Sequence, residues 1–224
     1  SLMDAKSQMG LSSATVAFVV SGGGCRDDGE TYRMSSDIKN FIASGGSVII
    51  SFGGASGTYL ETACTDANQM AEVVDGLIKN LGTRRLDFDV EGAQLSNTAA
   101  TSRRTAAIKI LQAKYPDLYV SFTLPAEPNG LPSQAVNSTA AAGVKFNIVN
   151  LMTMDYGAGT KNLGSVSISS AEGAFNQLKS IFPSTSSSDL YRMIGITPMI
   201  GINDDGTLFS IADATQVADY AKQK

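Results

Sequence analysis

Arg84-Arg85-Leu86-Asp87-Phe88-Asp89-Val90-Glu91-Gly92, near the middle of the chain, alternates three carboxylates with three large apolar side chains. Successive side chains on an extended strand point to opposite faces, so Asp87, Asp89 and Glu91 line one side and Leu86, Phe88 and Val90 the other. Carboxylates this close raise one another's pKa and are rarely withdrawn from water without a compensating role. An exposed edge strand with an acidic solvent face would carry the same pattern. The surrounding residues discriminate between the two.

Upstream, residues 14–20 form a continuous, largely β-branched apolar run ended by Ser21-Gly22-Gly23-Gly24, the pattern of a strand buried on both faces. Ser35-Ser36-Asp37 opens a helix with Ile38, Phe41 and Ile42 inward, and Gly45-Gly46 stops it. A second strand over 47–52 ends in Gly53-Gly54. The next helix runs from about Asp66 to Leu81 with Met70, Val73, Val74, Leu77 and Ile78 on one stripe. The acidic stretch is the third strand. Beyond it the spacing predicts a helix over 98–114 with Ile108 and Leu111 inward, a strand over 118–123 and a short helix over 133–142. A strand over 146–152 runs into Thr153-Met154-Asp155-Tyr156-Gly157, followed by a helix over 170–182, a strand over 191–199 and a last helix over 211–224.

Strand and helix alternate throughout, and the strands are too apolar for a sheet covered on one side, which predicts an α/β fold with a parallel sheet and crossover helices. A doubly wound nucleotide fold lacks support: Ser21-Gly22-Gly23-Gly24-Cys25 does not give the glycine spacing of a dinucleotide turn, and there is no Gly-Lys-Ser or Gly-Lys-Thr phosphate loop. A (β/α) barrel fits better, because such barrels keep their chemistry at the C-terminal strand ends. Polar groups sit at those ends here: Ser51 with Gly53 and Gly54, Asp89 with Glu91, and Asp155 with Tyr156.

Composition narrows the chemistry further. With 224 residues, 43% hydrophobic and 17% charged, the chain suits a single globular domain over 1–224. A net charge of −4 argues against nucleic acid, which is bound chiefly through clustered Lys and Arg. No apolar run approaches the roughly 20 residues of a membrane-spanning helix. The opening Ser1-Leu2-Met3-Asp4-Ala5-Lys6 does not read as a signal peptide. Histidine is absent, which removes Ser-His-Asp and Cys-His schemes and most zinc and non-haem iron sites. No metal and no cofactor is expected, and the chemistry falls to carboxylates, Tyr, Lys, hydroxyls and backbone. The two cysteines, Cys25 and Cys64, are compatible with one disulfide or two free thiols.

Ser51-Phe52-Gly53-Gly54, Leu86-Asp87-Phe88-Asp89-Val90-Glu91-Gly92 and Met152-Thr153-Met154-Asp155-Tyr156-Gly157 together resemble three motifs of glycoside hydrolase family 18, the chitinases and their relatives. The order and strand spacing agree, and the similarity runs from about Thr15 to the last residue. Gly195-Ile196-Thr197-Pro198-Met199-Ile200-Gly201, the cysteine positions and Thr123-Leu124-Pro125 resemble a secreted bacterial-type chitinase branch in particular. The resemblance implies hydrolysis of β-1,4-linked N-acetylglucosamine in chitin or its oligosaccharides, with retention and with the substrate's acetamido oxygen as nucleophile. Glu91 matches the general acid and base. Asp89 matches the neighbour that orients the acetamido group, and Asp87 lies deeper, coupled to Asp89. Tyr156 and Asp155, with Met154 before them, would form a second wall against the sugar. Ser51 would support Asp87, and Gly53 and Gly54 would let the backbone turn close to it.

Three departures from the family pattern bear on the activity. Arg84 stands where many members have another Asp. Met154 precedes Asp155 where many have Met-x-Tyr-Asp, so the Tyr role is carried over to Tyr156. The chain has no Trp, although members commonly floor the sugar site with one on the last strand. The five β/α units between Thr15 and Met193 average roughly 36 residues, so eight would need roughly 285 against the 224 present. The expected architecture is therefore a (β/α)8 TIM-barrel type, incomplete, with six β/α units and without its first and last strands. Its open edges, Val16 to Val20 and Met193 to Met199, invite self-association. Weak or absent catalysis is expected without the aromatic floor.

Cys25 and Cys64 both follow the C-terminal ends of neighbouring strands, which favours a disulfide and suits a secreted protein. Asn137-Ser138-Thr139 is a glycosylation sequon. A glycan-binding relative would usually lack Glu91, and an endo-β-N-acetylglucosaminidase acting on N-linked glycans would share the acidic motif and differ in its loops.

Overall fold

A computed structural model of the chain describes residues 1–139 and 144–224, and side chains outside 137–143. The end of the helix expected over 133–142 and the side chains of the Asn137-Ser138-Thr139 sequon lie outside the described residues. The chain divides into two compact units: residues 1–120 with 144–145, and the described residues of 121–139 with 146–224.

The first unit opens with α1 (Leu2–Met9), capped by a reciprocal Ser1/Asp4 box and closed by left-handed Gly10. Strand β1 (Ser13–Val19), short helix α2 (Glu30–Arg33) and α3 (Ser35–Ala43) follow. Then come β2 (Ser47–Gly53), short helix α4 (Leu60–Ala63), α5 (Ala67–Leu81), β3 (Arg85–Asp89), a 3-10 turn (Gly92–Ser96) and α6 (Thr98–Lys114). β1, β2 and β3 pair in parallel, with Ser51 opposite Asp87 and Gly53 opposite Asp89. Ile38 and Phe41 of α3 are buried, as are Met70, Val74, Leu77, Ile78 and Leu81 of α5, the apolar stripes their spacing predicts. Asp66 caps α5 by accepting from the amides of Asn68 and Gln69, and left-handed Gly82 ends it.

β1 departs from expectation. Val16 and Val19 are buried, but Thr15, Ala17 and Phe18 are exposed, Phe18 at 42%. A continuous apolar run cannot announce whether both faces of its strand will be covered. α1 was not legible either, because it buries no residue at all.

The second unit takes in β4 (Tyr119–Pro125) from Ser121 onward, then α7 (Ser133–Thr139), β5 (Ile148–Met152), α8 (Leu163–Ile181), α9 (Ser187–Arg192) and β6 (Ile194–Thr197). A hairpin of β7 (Gly201–Ile202) and β8 (Leu208–Phe209) leads to α10 (Ile211–Gln223). β4, β5 and β6 are parallel neighbours in that order. Helix α8 starts seven residues before the predicted 170, through the Ser- and Gly-rich stretch 163–169. Ser167 Oγ satisfies the Leu163 carbonyl at 2.8 Å, and the Gly164 amide donates to Asp213 Oδ1 at 2.8 Å, so α10 supplies the packing that propensity lacks. A side chain at Gly164 would put its Cβ 2.9 Å from the Asp213 Cα. Tyr191, assigned to a strand by the sequence, lies instead in α9, where its ring stacks on Phe175 at 4.2 Å and its hydroxyl donates to Glu172. Glu172 also accepts from Tyr220 and pairs with Lys224 at 3.0 Å, so one carboxylate fastens α8, α9 and α10.

Among the described residues no helix is long and apolar enough to cross a membrane.

Candidate active site

The acidic strand is built from its backbone outward. Leu86, Phe88 and Val90 are fully buried on one face, with the Phe88 ring stacked on its cross-strand neighbour Phe52 at 5.3 Å. This packing holds the strand and turns Asp87, Asp89 and Glu91 to the other side. Asp87 and Asp89 are each only 4% exposed, while Glu91, just beyond the paired strand, is half-buried with extended backbone. The exposed-edge reading therefore fails, because an acidic solvent face would leave these groups in water.

Each carboxylate has a distinct environment. Ser51 Oγ donates to Asp87 Oδ2 at 2.7 Å, within a buried pair that the strand register puts side by side. Burial pushes the Asp89 carboxyl up to about 8, reinforced first by the charge of Glu91, then by that of Asp87, and by a hydrogen bond shared with Glu91. At neutral pH Asp89 therefore keeps a proton, coupled to its neighbours on the strand. Its Oδ1 is buried with no hydrogen-bond partner in the protein. Such an orphaned acceptor is costly unless a ligand satisfies it.

Gly53 and Gly54 bring β2 against this strand. Both adopt left-handed backbone, φ 105° and 86°, and the Gly54 amide donates to the Asp89 carbonyl at 3.1 Å. A Cβ on Gly53 would fall 2.2 Å from that carbonyl oxygen, so only glycine permits the approach. Arg84 lies at the other end of the strand, exposed, paired with Asp117 at 2.9 Å and over the Tyr115 ring.

Sequence reasoning missed three residues of this unit. Tyr59 is buried beside the acidic strand, accepting from the Glu91 amide at 3.1 Å and donating to the Gly54 carbonyl at 2.9 Å. Glu61 and Arg104 form an ion pair at 2.9 Å, 2% and 1% exposed. The one usable signal was Arg104's place on the inward stripe of α6, with Ala100, Ala107, Ile108 and Leu111.

Cys25 and Cys64 form a disulfide with Cα atoms 4.3 Å apart, closing a loop of 39 residues. Reduction is expected to cost about 4 kcal/mol on the loop-entropy account. Urea unfolding with and without reductant measures it, and coincident curves would contradict the expectation.

In the second unit, Asp155 has left-handed backbone, φ 53°, at the end of β5. Its amide donates to Asn203 Oδ1 at 3.2 Å, and its Oδ1 accepts from the Asp205 amide at 3.1 Å. Met154 is half-buried. The Tyr156 ring packs on Leu163, Phe209 and Val217, its hydroxyl shares a hydrogen bond of 2.8 Å with Ser170, and Ser170 donates to the Glu127 carbonyl. Burial raises the Tyr156 phenol above its ordinary range. Asn150 bridges Thr123 and Thr197 across β4, β5 and β6, a polar row the sequence reading did not single out.

Comparison with known proteins adds independent findings. No protein-family model matches the chain. It is 33% identical to endochitinase 11 of Metarhizium anisopliae over 94% of this chain and 44% of that protein. It is 32% identical to the probable bifunctional chitinase/lysozyme of Escherichia coli (strain K12) over 87% of this chain and 24% of that protein. The chain thus spans less than half the length of these curated relatives. Catalytic-site mutants of active domain 2 of a thermostable chitinase from Pyrococcus furiosus, solved with chito-oligosaccharides, match at 33% identity and a TM-score of 0.88. That match covers 99% of this chain and 74% of the solved one. The fold is thus the α/β barrel type, with six β/α units among the described residues. The comparisons lend no support to self-association, and the two edges that prompted the expectation are largely covered: Val16 and Val19 are buried, residues 193–199 are half-buried, and only Phe18 among the large apolar side chains of these edges is exposed.

Proposed function

Because the chain belongs to glycoside hydrolase family 18, the chitinases, we propose that it cleaves β-1,4 linkages between N-acetylglucosamine units by substrate-assisted hydrolysis with retention. Glu91 is the general acid and base. Its carboxylic acid protonates the glycosidic oxygen as the bond from that oxygen to the anomeric carbon breaks, and the sugar's acetamido oxygen closes onto the same carbon as an oxazolinium ion. The Glu91 carboxylate then takes a proton from water, whose oxygen attacks the anomeric carbon and reopens the ring. Asp89, its proton directed to Glu91, accepts the acetamido N–H at Oδ1 and so aims the nucleophilic oxygen. Asp87, fixed by Ser51, maintains the negative surroundings that keep that proton in place.

One observation carries this reading: a buried, proton-retaining Asp89 with an unpartnered oxygen, two residues before a half-buried Glu91. Asp155 and Met154 are proposed sugar contacts. Tyr156, its hydroxyl engaged by Ser170, is proposed to hold the turn that carries them rather than to touch the sugar. We also infer secretion, which the Cys25–Cys64 disulfide supports because such bonds persist in oxidising compartments.

Incubation with chitin oligosaccharides and, separately, a high-mannose glycopeptide tests the substrate class. Shortened chitin oligosaccharides with an intact glycopeptide are expected; cleavage of the glycopeptide alone would overturn the proposal.

A further inference from the structure

The carboxyl group of Glu91 can act only if its backbone is held, and it lies beyond β3, whose last paired residue is Asp89 opposite Gly53. The Glu91 amide has no strand partner to bond. The Tyr59 hydroxyl takes that place at 3.1 Å, and the same hydroxyl donates to the Gly54 carbonyl at 2.9 Å. Gly54 in turn donates its amide to the Asp89 carbonyl at 3.1 Å. A closed path therefore runs from Asp89 through Gly54 and Tyr59 to Glu91, fixing both ends of the three-residue segment that bears the two carboxylates. On its other side Glu91 is held through its carbonyl, which accepts from the Gln94 amide at 3.0 Å.

Tyr59 is itself anchored more firmly than a loop residue needs to be. It is 4% exposed, and its ring lies where a Cβ on Gly53 would approach to 3.0 Å. It precedes α4, whose Leu60 is 1% exposed, whose Glu61 forms the buried pair with Arg104, and whose last turn leads to the Cys64 disulfide. Burial, aided by the charges of Glu91, Asp89 and Glu61, pushes the Tyr59 phenol up to about 12, so it stays neutral and keeps its donor hydrogen at any working pH.

We infer that Tyr59 is a positioning residue for the general acid: its hydroxyl sets the backbone of Glu91 relative to Asp89 by joining the Glu91 amide to the end of β2. The inference rests on the proposed role of Glu91 and adds a residue outside the acidic motif, 32 positions away in the chain.

Tyr59→Phe removes only the hydroxyl. Loss of its two hydrogen bonds, from the Glu91 amide and to the Gly54 carbonyl, is expected to lower kcat about tenfold with KM changed less than about twofold. The alkaline limb of the pH–rate profile should move, because a displaced Glu91 changes the charge and hydrogen bond that raise the neighbouring Asp89 carboxyl. Amide exchange at Glu91, read by NMR, should speed up by about tenfold or more in the same variant. Unchanged kcat, pH profile and Glu91 exchange alongside a lower melting temperature would overturn the inference, since a purely structural tyrosine predicts that set. If the unaltered chain turns over no chitin oligosaccharide, the hydrolase reading fails, and the exchange rate at Glu91 alone decides whether Tyr59 positions it. If Tyr59→Phe does not fold, Tyr59→p-aminophenylalanine, whose amino group can rebuild the bridge, should restore the fold and most of the rate; loss of turnover in this folded variant would count against the inference.

Discussion

Glu91→Gln is expected to lower kcat/KM on a chromogenic chitobioside by roughly 10²–10⁴-fold, the usual contribution of a positioned general acid. The change removes the transferable proton and leaves shape and hydrogen-bonding capacity nearly intact, so KM should move far less than kcat. Folding should survive, because Glu91 is half-buried and its backbone contacts to Tyr59 and Gln94 do not involve the carboxyl. The weak catalysis expected from a chain without Trp affects the absolute rate and not this ratio. A variant that kept more than about a tenth of the rate would show that Glu91 is not the acid.

Asp89→Asn should change both rate and stability, in directions that can be told apart. The rate should fall by roughly 10²-fold or more, because the amide cannot respond to charge developing on the acetamido group as a carboxyl does. The stability change depends on pH. Asp89 sits at about 8 in the folded chain against an ordinary 3.8, so between these values the folded state binds a proton that the unfolded state has released. Its contribution to stability is fully present below about pH 4 and lost as pH rises through about 8. Asparagine, which mimics the protonated group and never ionises, removes that loss. The variant should match the parent near pH 4 and exceed it at pH 9, by on the order of a few kcal/mol after allowing for the coupling to Glu91. Melting curves at the two pH values measure the difference; parallel behaviour at both would mean that Asp89 is ionised in the folded chain.

Much of the fold was legible because its signals are local. α5 carries its cap Asp66, its stripe from Met70 to Leu81 and its stop Gly82 in one continuous segment, and its observed limits follow them. The alternation of residues 86–91 gave the two faces of β3 for the same reason. Elements stabilised from a distance were not legible. The first turns of α8 are Ser- and Gly-rich and take their stability from Asp213 on α10, 49 residues on in sequence. The β7–β8 hairpin has strands of two residues each, too short for any periodicity, although Asp205-Gly206 marks the turn between them.

The candidate site divides along the same line. Asp87, Asp89 and Glu91 could be named because their alternation on one strand forces them onto one face, and Ser51 because its strand end resembles the family's Ser-x-Gly-Gly motif. Tyr59 could not, because what it recognises is a backbone amide and carbonyl, groups every residue carries and no sequence pattern distinguishes. Arg104 was passed over because a charge on an inward stripe looks like an interruption until Glu61 is seen opposite it.

The central claim, substrate-assisted hydrolysis driven by Glu91, is tested most directly by the anomer first released from a chitin oligosaccharide, followed by proton NMR within the first turnovers. The account predicts the β-anomer, the signature of the acetamido nucleophile and a second displacement by water. First release of the α-anomer would mean single displacement by water and would contradict the roles given to Glu91 and Asp89.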